Sequence, residues 1–182
     1  MMTKPISTTY QPPFGLPNLK LTVLNQHLIA LDWYDDKTNK LLDKIMPNHT
    51  ADDVLIPQES LDKADANHAV LLNCIAQLDG YFAGSRTQFE LPLDLSFGTP
   101  FQQSVWQALC HIPHGQTISY AALAQSIGKP TAFRACANAN GKNPISIIIP
   151  CHRVIASDGG LGGYTGGTWI KKLLLEHEMH QF

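Results

Sequence analysis

The chain has 182 residues, of which 44% are hydrophobic and 15% are charged, and its formal net charge at pH 7 is -2. This length and composition allow a buried core in one domain or in two small ones, and the charge argues against a generally basic nucleic-acid binder. Residues 1–19 contain four prolines and no apolar run, which excludes a secretory signal or membrane span there and makes the cytoplasm the expected location.

The first predicted elements form a β-hairpin. Residues 19–23 alternate apolar and polar side chains, and residues 28–34 resume an apolar run after a short polar turn. Residues 37–57 are polar and lack a clear period, so we expect a loop there, with one more strand around residues 41–45.

A helix and an extended segment complete the N-terminal half. Apolar residues recur at the spacing of a helix that ends near Gly84, namely Leu71, Ile75, Leu78 and Phe82. We interpret Cys74, which lies within this helix, as a packing residue. Residues 89–94 then predict an extended connector. This half is therefore a small α/β unit without visible chemistry.

The balance of charge changes sign near Asp94. Residues 1–94 carry 7 Lys and Arg against 12 Asp and Glu, whereas residues 95–182 carry 6 against 3, and no acidic residue lies between Asp94 and Asp158. A surface built from this stretch would tolerate a polyanion, because phosphate contacts need cations. An alternative is that the stretch lacks acids because it forms an Ala- and Ile-rich core. We expect two domains, residues 1–94 and 95–182.

Three helices are predicted at the start of the second domain. Thr99 is a favourable N-cap before Pro100, and the first helix ends at residues 113–115. Ser119 caps a second short helix, and a third runs from Pro130 to about residue 140. Two short helices joined by a Gly-containing turn are typical of a helix-turn-helix. The small residues of the third helix fit a groove, although they are equally typical of tight helix packing.

The most distinctive stretch is residues 150–154, Pro-Cys-His-Arg-Val. The apolar run at residues 145–149 predicts a short buried strand that Pro150 ends. Cys151 would then emerge beside an imidazole and a guanidinium, and nearby positive charge lowers the pKa of a thiol and favours the nucleophilic thiolate. The alternative is a small buried cysteine. The four cysteines form no CxxC pair, which indicates reduced thiols.

The chain ends with a glycine-rich loop and a final helix. Three Gly pairs follow the cysteine motif, and from Thr168 a helix carries one apolar face. Helices followed by a short strand suggest a winged-helix-like unit. Glu178 falls in the last helical turn, where a negative charge costs roughly 0.3–1 kcal/mol, so this residue is expected either to have another use or to lie exposed at a frayed end.

These dispersed motifs resemble one family, the O6-alkylguanine-DNA alkyltransferases, also called methylated-DNA-protein-cysteine methyltransferases. The resemblance covers about residues 99–178 and rests on the following segments: 119–120, Arg134, 143–144, 150–154, 163–167 and 177–178. It implies an α/β fold class: a small N-terminal ribonuclease-H-like α/β domain followed by a mostly helical, winged-helix-like C-terminal domain with a helix-turn-helix.

The resemblance also implies a reaction. The chain would transfer a methyl or other alkyl group from O6-alkylguanine in duplex DNA to Cys151, once per molecule; the sequence leaves open whether O4-alkylthymine is a substrate. His152 would activate the thiol through a water, and Glu178 would orient His152. Tyr120 would assist nucleotide rotation and protonate the departing guanine, and Asn143 would brace the cysteine turn.

On the DNA side, Arg134 would fill the stack in place of the flipped base. Tyr164 and Thr165 would line the guanine pocket, with backbone near Cys151 and Val154 reading the guanine edge; Thr165 stands where many members have Ser. Further DNA contacts are assigned to Lys129, Ala135 and Ser157, and to Tyr120 as well. The expected partner is double-stranded DNA carrying alkylated guanine, bound by a monomer, with no membrane partner, no cofactor and no metal.

Three other functions remain as alternatives. A non-catalytic alkyl-lesion sensor would use the same scaffold, but the known sensors of this type lack the cysteine. A Cys-His-Glu hydrolase would need an oxyanion hole and would leave the Arg134 helix without a purpose. A helix-turn-helix regulator would need a helix suited to reading base edges, which the small-residue helix is not.

Overall fold

The computed structural model describes residues 4–34 and 55–180, and the chain divides into two compact units, Met1–Phe97 and Gly98–Phe182. The strand expected at residues 41–45 lies outside the described residues. Within the described part of the chain, no helix has both the length and the hydropathy that a bilayer crossing requires.

The first unit contains an antiparallel sheet of three strands in the order β1, β2, β3. The strands are β1 (Ile6–Tyr10), β2 (Leu19–Leu24) and β3 (His27–Trp33). Strands β2 and β3 confirm the predicted hairpin, and its two turn residues, Asn25 and Gln26, both have positive φ, as tight hairpin turns require. Strand β1 was not predicted, because its sequence, Ile-Ser-Thr-Thr-Tyr, has few strongly apolar residues.

One long helix, α1 (Ala66–Phe82), packs on this sheet. The Asp65 side chain caps it by accepting hydrogen bonds from the backbone N–H groups of Asn67 and His68. Cys74 is fully buried on its inner face and is therefore a packing residue, as predicted. Residues 89–94 are extended, and Leu28 of β3 exchanges backbone hydrogen bonds with them, which confirms the predicted connector.

The second unit is mostly helical. Its helices are α2 (Pro100–Leu109), α3 (Tyr120–Ser126), α4 (Phe133–Gly141) and α5 (Thr168–Met179). Two short parallel strands, β4 (Ile118–Ser119) and β5 (Val154–Ile155), pair with each other. Helices α3 and α4 pack together as the predicted helix-turn-helix, with α2 against both.

The predicted helix caps are confirmed, with one shift. Thr99 and Gln102 form a reciprocal capping box at the start of α2, and the Ser119 hydroxyl accepts the Ala122 N–H at the start of α3. The start predicted for α4 at Pro130 was wrong by three residues. The Ala132 N–H bonds the Lys129 carbonyl in a separate turn, and the helix begins only at Phe133.

The strand predicted at residues 145–149 was also wrong, because this apolar segment is a buried turn. The Ile148 N–H bonds the carbonyl of Ser146, and the Ile149 N–H bonds the carbonyl of Ile145, so the backbone groups are satisfied locally rather than by a neighbouring strand. Residues 145–149 are all buried nevertheless. Apolar content alone does not distinguish a buried strand from a buried turn. The short strand of this region, β5, follows Cys151 instead of preceding it.

Candidate active site

Two tight turns in succession lead into Cys151. Each is closed by a hydrogen bond between residues two apart, from the Ile148 N–H to Ser146 O and from the Cys151 N–H to Ile149 O, both at 2.8 Å. Pro150, with φ -81° and ψ 63°, sits in the favoured form of this turn. Ile147 has φ +69°, a strained conformation for a β-branched residue, which persists only where the surroundings impose it.

The Asn143 side chain imposes much of this geometry. Its Oδ1 accepts the Ile145 N–H at 3.0 Å, and its Nδ2 donates to the carbonyl of Ile149 at 2.7 Å and to that of Ile145 at 3.3 Å. Asn143 is 4% exposed, so these bonds do not compete with bulk water. Asn143 therefore joins residues 145 and 149, on either side of the strained Ile147.

A second asparagine, Asn140, was missed by the sequence analysis. It lies near the end of α4, is buried, and donates from Nδ2 to the Cys151 carbonyl at 3.3 Å. Its position in an Ala-Asn-Ala-Asn run carried no signal of a structural role. Together, Asn140 and Asn143 tie the cysteine turn to the helix of Arg134.

Cys151 begins a short 3-10 turn, Cys151–Arg153, whose next two side chains meet Glu178 of α5. The Nε2 atom of His152 lies 2.7 Å from Oε1 of Glu178. The guanidinium of Arg153 donates to both carboxylate oxygens of Glu178, each at 2.9 Å, and also to the Ile112 carbonyl at 2.6 Å. The Gly115 N–H adds a fourth donor to Glu178 at 3.2 Å. All three ionisable side chains are buried.

This network determines the charge of its members. Burial alone would raise the pKa of Glu178, but hydrogen bonds and charge from His152 and Arg153 outweigh burial and hold this pKa well below its usual range. Burial lowers the pKa of His152, and its hydrogen bond to Glu178 only partly opposes that effect. At neutral pH the network therefore contains a carboxylate and a neutral imidazole.

The neutral imidazole has one defined tautomer. Because Nε2 faces the Glu178 carboxylate, which only accepts hydrogen bonds, the ring proton belongs on Nε2 and the lone pair on Nδ1. This Nδ1 atom is buried and has no hydrogen-bond partner among residues 4–34 and 55–180. His152 thus presents a basic nitrogen on the side away from Glu178.

Tyr120 opens α3 and is half-buried. Burial raises the pKa of its phenol, and the charge of Cys151 raises it further, so the phenol stays protonated and lies within electrostatic reach of the thiol. The glycine-rich loop packs against it: a Cβ atom built on Gly162 would lie 3.0 Å from the Tyr120 hydroxyl.

The sequence analysis also missed Lys171, which is fully buried in α5. Its Nζ donates to the Val154 carbonyl at 2.6 Å. Burial lowers the pKa of Lys171 to about 8, while the charge of Cys151 acts in the opposite direction. A signal was available, because Lys171 and Glu178 are seven residues apart and fall on the same face of the helix as its buried apolar residues.

The predicted pocket residues differ in exposure. Val154 is buried and offers its backbone carbonyl, Tyr164 is half-buried, and Thr165 is exposed. The Thr165 hydroxyl donates to the Gly141 carbonyl at 3.2 Å, which joins the glycine-rich loop to the end of α4.

The side chains predicted to contact DNA are all exposed, with the exception of Tyr120: Lys129, Arg134, Ala135 and Ser157. The Arg134 guanidinium lies 5.9 Å from the ring centroid of Phe133, its neighbour on α4. No set of three His, Cys, Asp or Glu side chains in the described ranges is arranged to hold a metal ion.

The arrangement combines a buried thiol, since Cys151 is 4% exposed, with a base that has a free lone pair, a protonated phenol and a buried cation. Such a set suits transfer of a group to sulfur with protonation of the leaving group.

Two family models cover almost the whole chain. The model described as 6-O-methylguanine DNA methyltransferase, DNA binding domain, matches residues 100–180, and the model for the ribonuclease-like domain of the same proteins matches residues 6–95.

Two curated relatives, both called methylated-DNA–protein-cysteine methyltransferase, are also similar. The one from Mycobacterium leprae is 56% identical over 107 residues, 59% of this chain and 64% of that protein. The one from Methanosarcina barkeri is 57% identical over 102 residues, 56% of this chain and 64% of that protein. These alignments thus span slightly less than two thirds of the relatives.

Solved structures extend the similarity over both units. The O6-methylguanine methyltransferase of Mycobacterium tuberculosis is 36% identical with a TM-score of 0.77, covering 98% of this chain and 94% of that one. A structure of Mycobacterium tuberculosis OGT in complex with DNA is 39% identical with a TM-score of 0.75, covering 96% and 93%.

Proposed function

The chain belongs to the 6-O-methylguanine DNA methyltransferase family, and we propose that it removes an alkyl group from O6 of guanine in duplex DNA and retains it on Cys151. Membership confirms the family and the fold class predicted from the sequence. The observation that carries the proposal is that Cys151 ends a strained turn and is followed directly by the His152–Glu178 pair, with the Tyr120 phenol within electrostatic reach of the thiol.

The chemical step is a displacement at the alkyl carbon. The Cys151 thiolate attacks that carbon, a C–S bond forms, the C–O6 bond breaks, and its electron pair passes to guanine. Guanine then takes a proton from the Tyr120 phenol, which burial keeps protonated at neutral pH. A soft sulfur nucleophile suits attack at carbon, and a neutral guanine is a far better leaving group than its anion.

The thiol must lose its proton before it attacks. Nδ1 of His152 carries the lone pair, and a water between this atom and the sulfur would pass the proton to the ring. Glu178 fixes the ring orientation and stabilises the imidazolium that forms. The roles of His152 and Glu178 predicted from the sequence thus have a consistent geometric basis.

The lesion lies on the pairing edge of guanine, so the nucleotide must leave the stack at a cost of a few kcal/mol. Arg134 is exposed on α4, where it would occupy the vacated position and contact phosphate. Lys129, Ala135 and Ser157 are exposed for backbone contacts, and Tyr164 and Thr165 would line the pocket. We expect a monomer to act on DNA in the cytoplasm.

The product is a thioether, which offers water no good leaving group, so each molecule reacts once. Intact mass spectrometry after incubation with a duplex containing O6-methylguanine tests both points. We expect a gain of one methyl group, mapped to Cys151, and none in Cys151→Ala. Cys110→Ala, which removes an exposed thiol in the same unit, should react like the wild type.

Two results would contradict the proposal. Methyl release severalfold above the amount of active protein would exclude single turnover. Tight binding of the lesion without any mass change would favour the alternative, a non-catalytic lesion sensor.

A further inference from the structure

Lys171 is a buried lysine without a carboxylate partner in the described residues. Its side chain is fully buried, and its Nζ donates a hydrogen bond to a neutral carbonyl, that of Val154, at 2.6 Å. The acidic groups that form ion pairs in this unit are Glu178, with His152 and Arg153, and Glu176, with Lys172. Removing an ammonium group from water without an anion is costly, so a position like this requires a compensating charge.

The other cationic groups beside Cys151 are already neutralised. Arg153 makes a two-point contact with the Glu178 carboxylate and a third bond to the Ile112 carbonyl. His152 is fully buried and neutral, with its ring proton directed at the same carboxylate. The two neighbours that the sequence offered as activators of the thiol therefore bring little net positive charge to it.

We propose that Lys171 is the cation that holds Cys151 in the thiolate form, anchored for this purpose by the Val154 carbonyl. Lys171 lies on α5 and Val154 directly follows the turn of Cys151, so the 2.6 Å bond fixes the ammonium beside that turn. Lys171 is thus a positioning residue that acts through Cys151.

The electrostatics of the site agree with this placement. Cys151 is the charged group that favours the ammonium form of Lys171, against burial, which lowers the lysine pKa to about 8. Coupling between two sites is reciprocal, so an ammonium that the thiolate stabilises must stabilise the thiolate equally. At pH 7 a lysine of this pKa is still mostly protonated.

The inference rests on the proposed function only in taking Cys151 as the alkyl acceptor, and its tests use the free protein without DNA. Failure to accept methyl from DNA would refute the proposed function, whereas titration of the free protein tests the inference alone.

The other ionisable groups around Lys171 and Cys151 are Tyr120 of α3, His152 and Arg153 of the turn, and Glu178 of α5. They are kept unchanged in every variant.

The first test titrates the Cys151 thiolate by its ultraviolet absorbance, as the difference between each protein and the same protein with Cys151→Ser. Lys171→Met should raise the midpoint by about one pH unit or more, a tenfold loss of thiolate at pH values below both midpoints. Lys171→Arg should restore most of the effect. Lys172→Met is the matched control, because Lys172 is the next residue, with its side chain 65% exposed, and should leave the midpoint unchanged. An unchanged midpoint in a folded Lys171→Met protein overturns the proposal.

A second test does not require that Lys171→Met fold. Carbon-13 NMR of the lysine ε-carbons follows the titration of Lys171 in the wild type and in Cys151→Ser. Loss of the thiolate should lower the pKa of Lys171 by about as much as Lys171→Met raises that of Cys151. An identical Lys171 titration in both proteins would show that the two groups do not interact and would overturn the proposal.

Discussion

Nε2 of His152 and Oε1 of Glu178 lie 2.7 Å apart, although 26 residues separate them in the chain. The same carboxylate accepts from Arg153 and from the Gly115 N–H, so one side chain joins the cysteine turn, the loop after α2 and the last turn of α5. A carboxylate at a helix C-terminus opposes the helix dipole. Each charge-assisted hydrogen bond stabilises the Glu178 carboxylate by more than the helix dipole destabilises it.

Glu178→Gln should destabilise the protein strongly. Glutamine keeps the shape of the side chain but removes its charge, which leaves the buried Arg153 guanidinium without an anion. Breaking a buried pair in this way costs about 3–5 kcal/mol. Urea unfolding gives the free energy directly. Glu176→Gln is the control, because its contact with Lys172 is exposed and 3.7 Å long, and should change stability by less than about 1 kcal/mol. Equal losses in the two variants would contradict this account.

Stability should fall on acidification in two stages. The pKa of His152 is lowered on folding from its ordinary 6.5, so the unfolded chain binds more protons below about pH 6.5 and stability declines from there. The pKa of Glu178 is also lowered, from 4.5, so a further loss begins below about pH 4.5. Both contributions are fully present above these values. Unfolding free energies measured from pH 8 downward should show both stages, and Glu178→Gln should lack the second.

The sequence predicted those elements whose determinants are local. Thr99 and Ser119 cap helices because their hydroxyl groups accept nearby N–H groups, and the β2–β3 hairpin follows from alternation around a polar turn. Glu178 was marked by its unfavourable place in the helix. The motif resemblance supplied the remaining site residues.

Other features depend on contacts that are distant in the sequence. Residues 145–149 have strand-like composition, but the side chain of Asn143 satisfies their backbone and bends them into a turn. The helical spacing places Lys171 on the buried face of α5, but only the fold shows that the Val154 carbonyl accepts a hydrogen bond from its ammonium. Such cases need three-dimensional information, because residue type alone favours a strand for residues 145–149 and an exposed position for a lysine.

Asn143→Ala should lower both stability and the rate of methyl transfer. The change leaves the buried Ile145 N–H without its partner, at about 1–3 kcal/mol for an unsatisfied group, and removes one of the two hydrogen bonds that the Ile149 carbonyl accepts. The strained Ile147 turn would then relax and displace Cys151. Asn138→Ala, an exposed position on α4, is the control for stability. Thermal melting and single-turnover mass spectrometry measure the two effects, and wild-type behaviour of Asn143→Ala would refute the bracing role.

Gly98→Ala should destabilise the second unit. A Cβ at Gly98 would overlap Cζ3 of Trp106, whose indole N–H donates to the Ala139 carbonyl at 2.9 Å. The ring must shift, and overpacking of this kind costs about 1–3 kcal/mol. Gly141→Ala meets no atom within 4 Å and should be close to neutral or slightly stabilising in the same urea titration. Two similar midpoints would show that Trp106 accommodates the methyl group.

Gly162→Ala should slow methyl transfer by displacing Tyr120. The added Cβ would lie 3.0 Å from the phenol oxygen, which is tighter than an ordinary contact, so the phenol must shift by a few tenths of an ångström. Complete loss of a positioned general acid costs about 10²–10⁴-fold in rate, which sets the upper limit of the effect. Gly162 has φ +67°, so alanine also introduces backbone strain. Gly159→Ala isolates that strain, because Gly159 has φ +86° and open space around it. Single-turnover rates on a duplex containing O6-methylguanine should fall for Gly162→Ala and not for Gly159→Ala. Equal rates in the two variants would show that any loss comes from strain in the loop backbone and not from displacement of Tyr120.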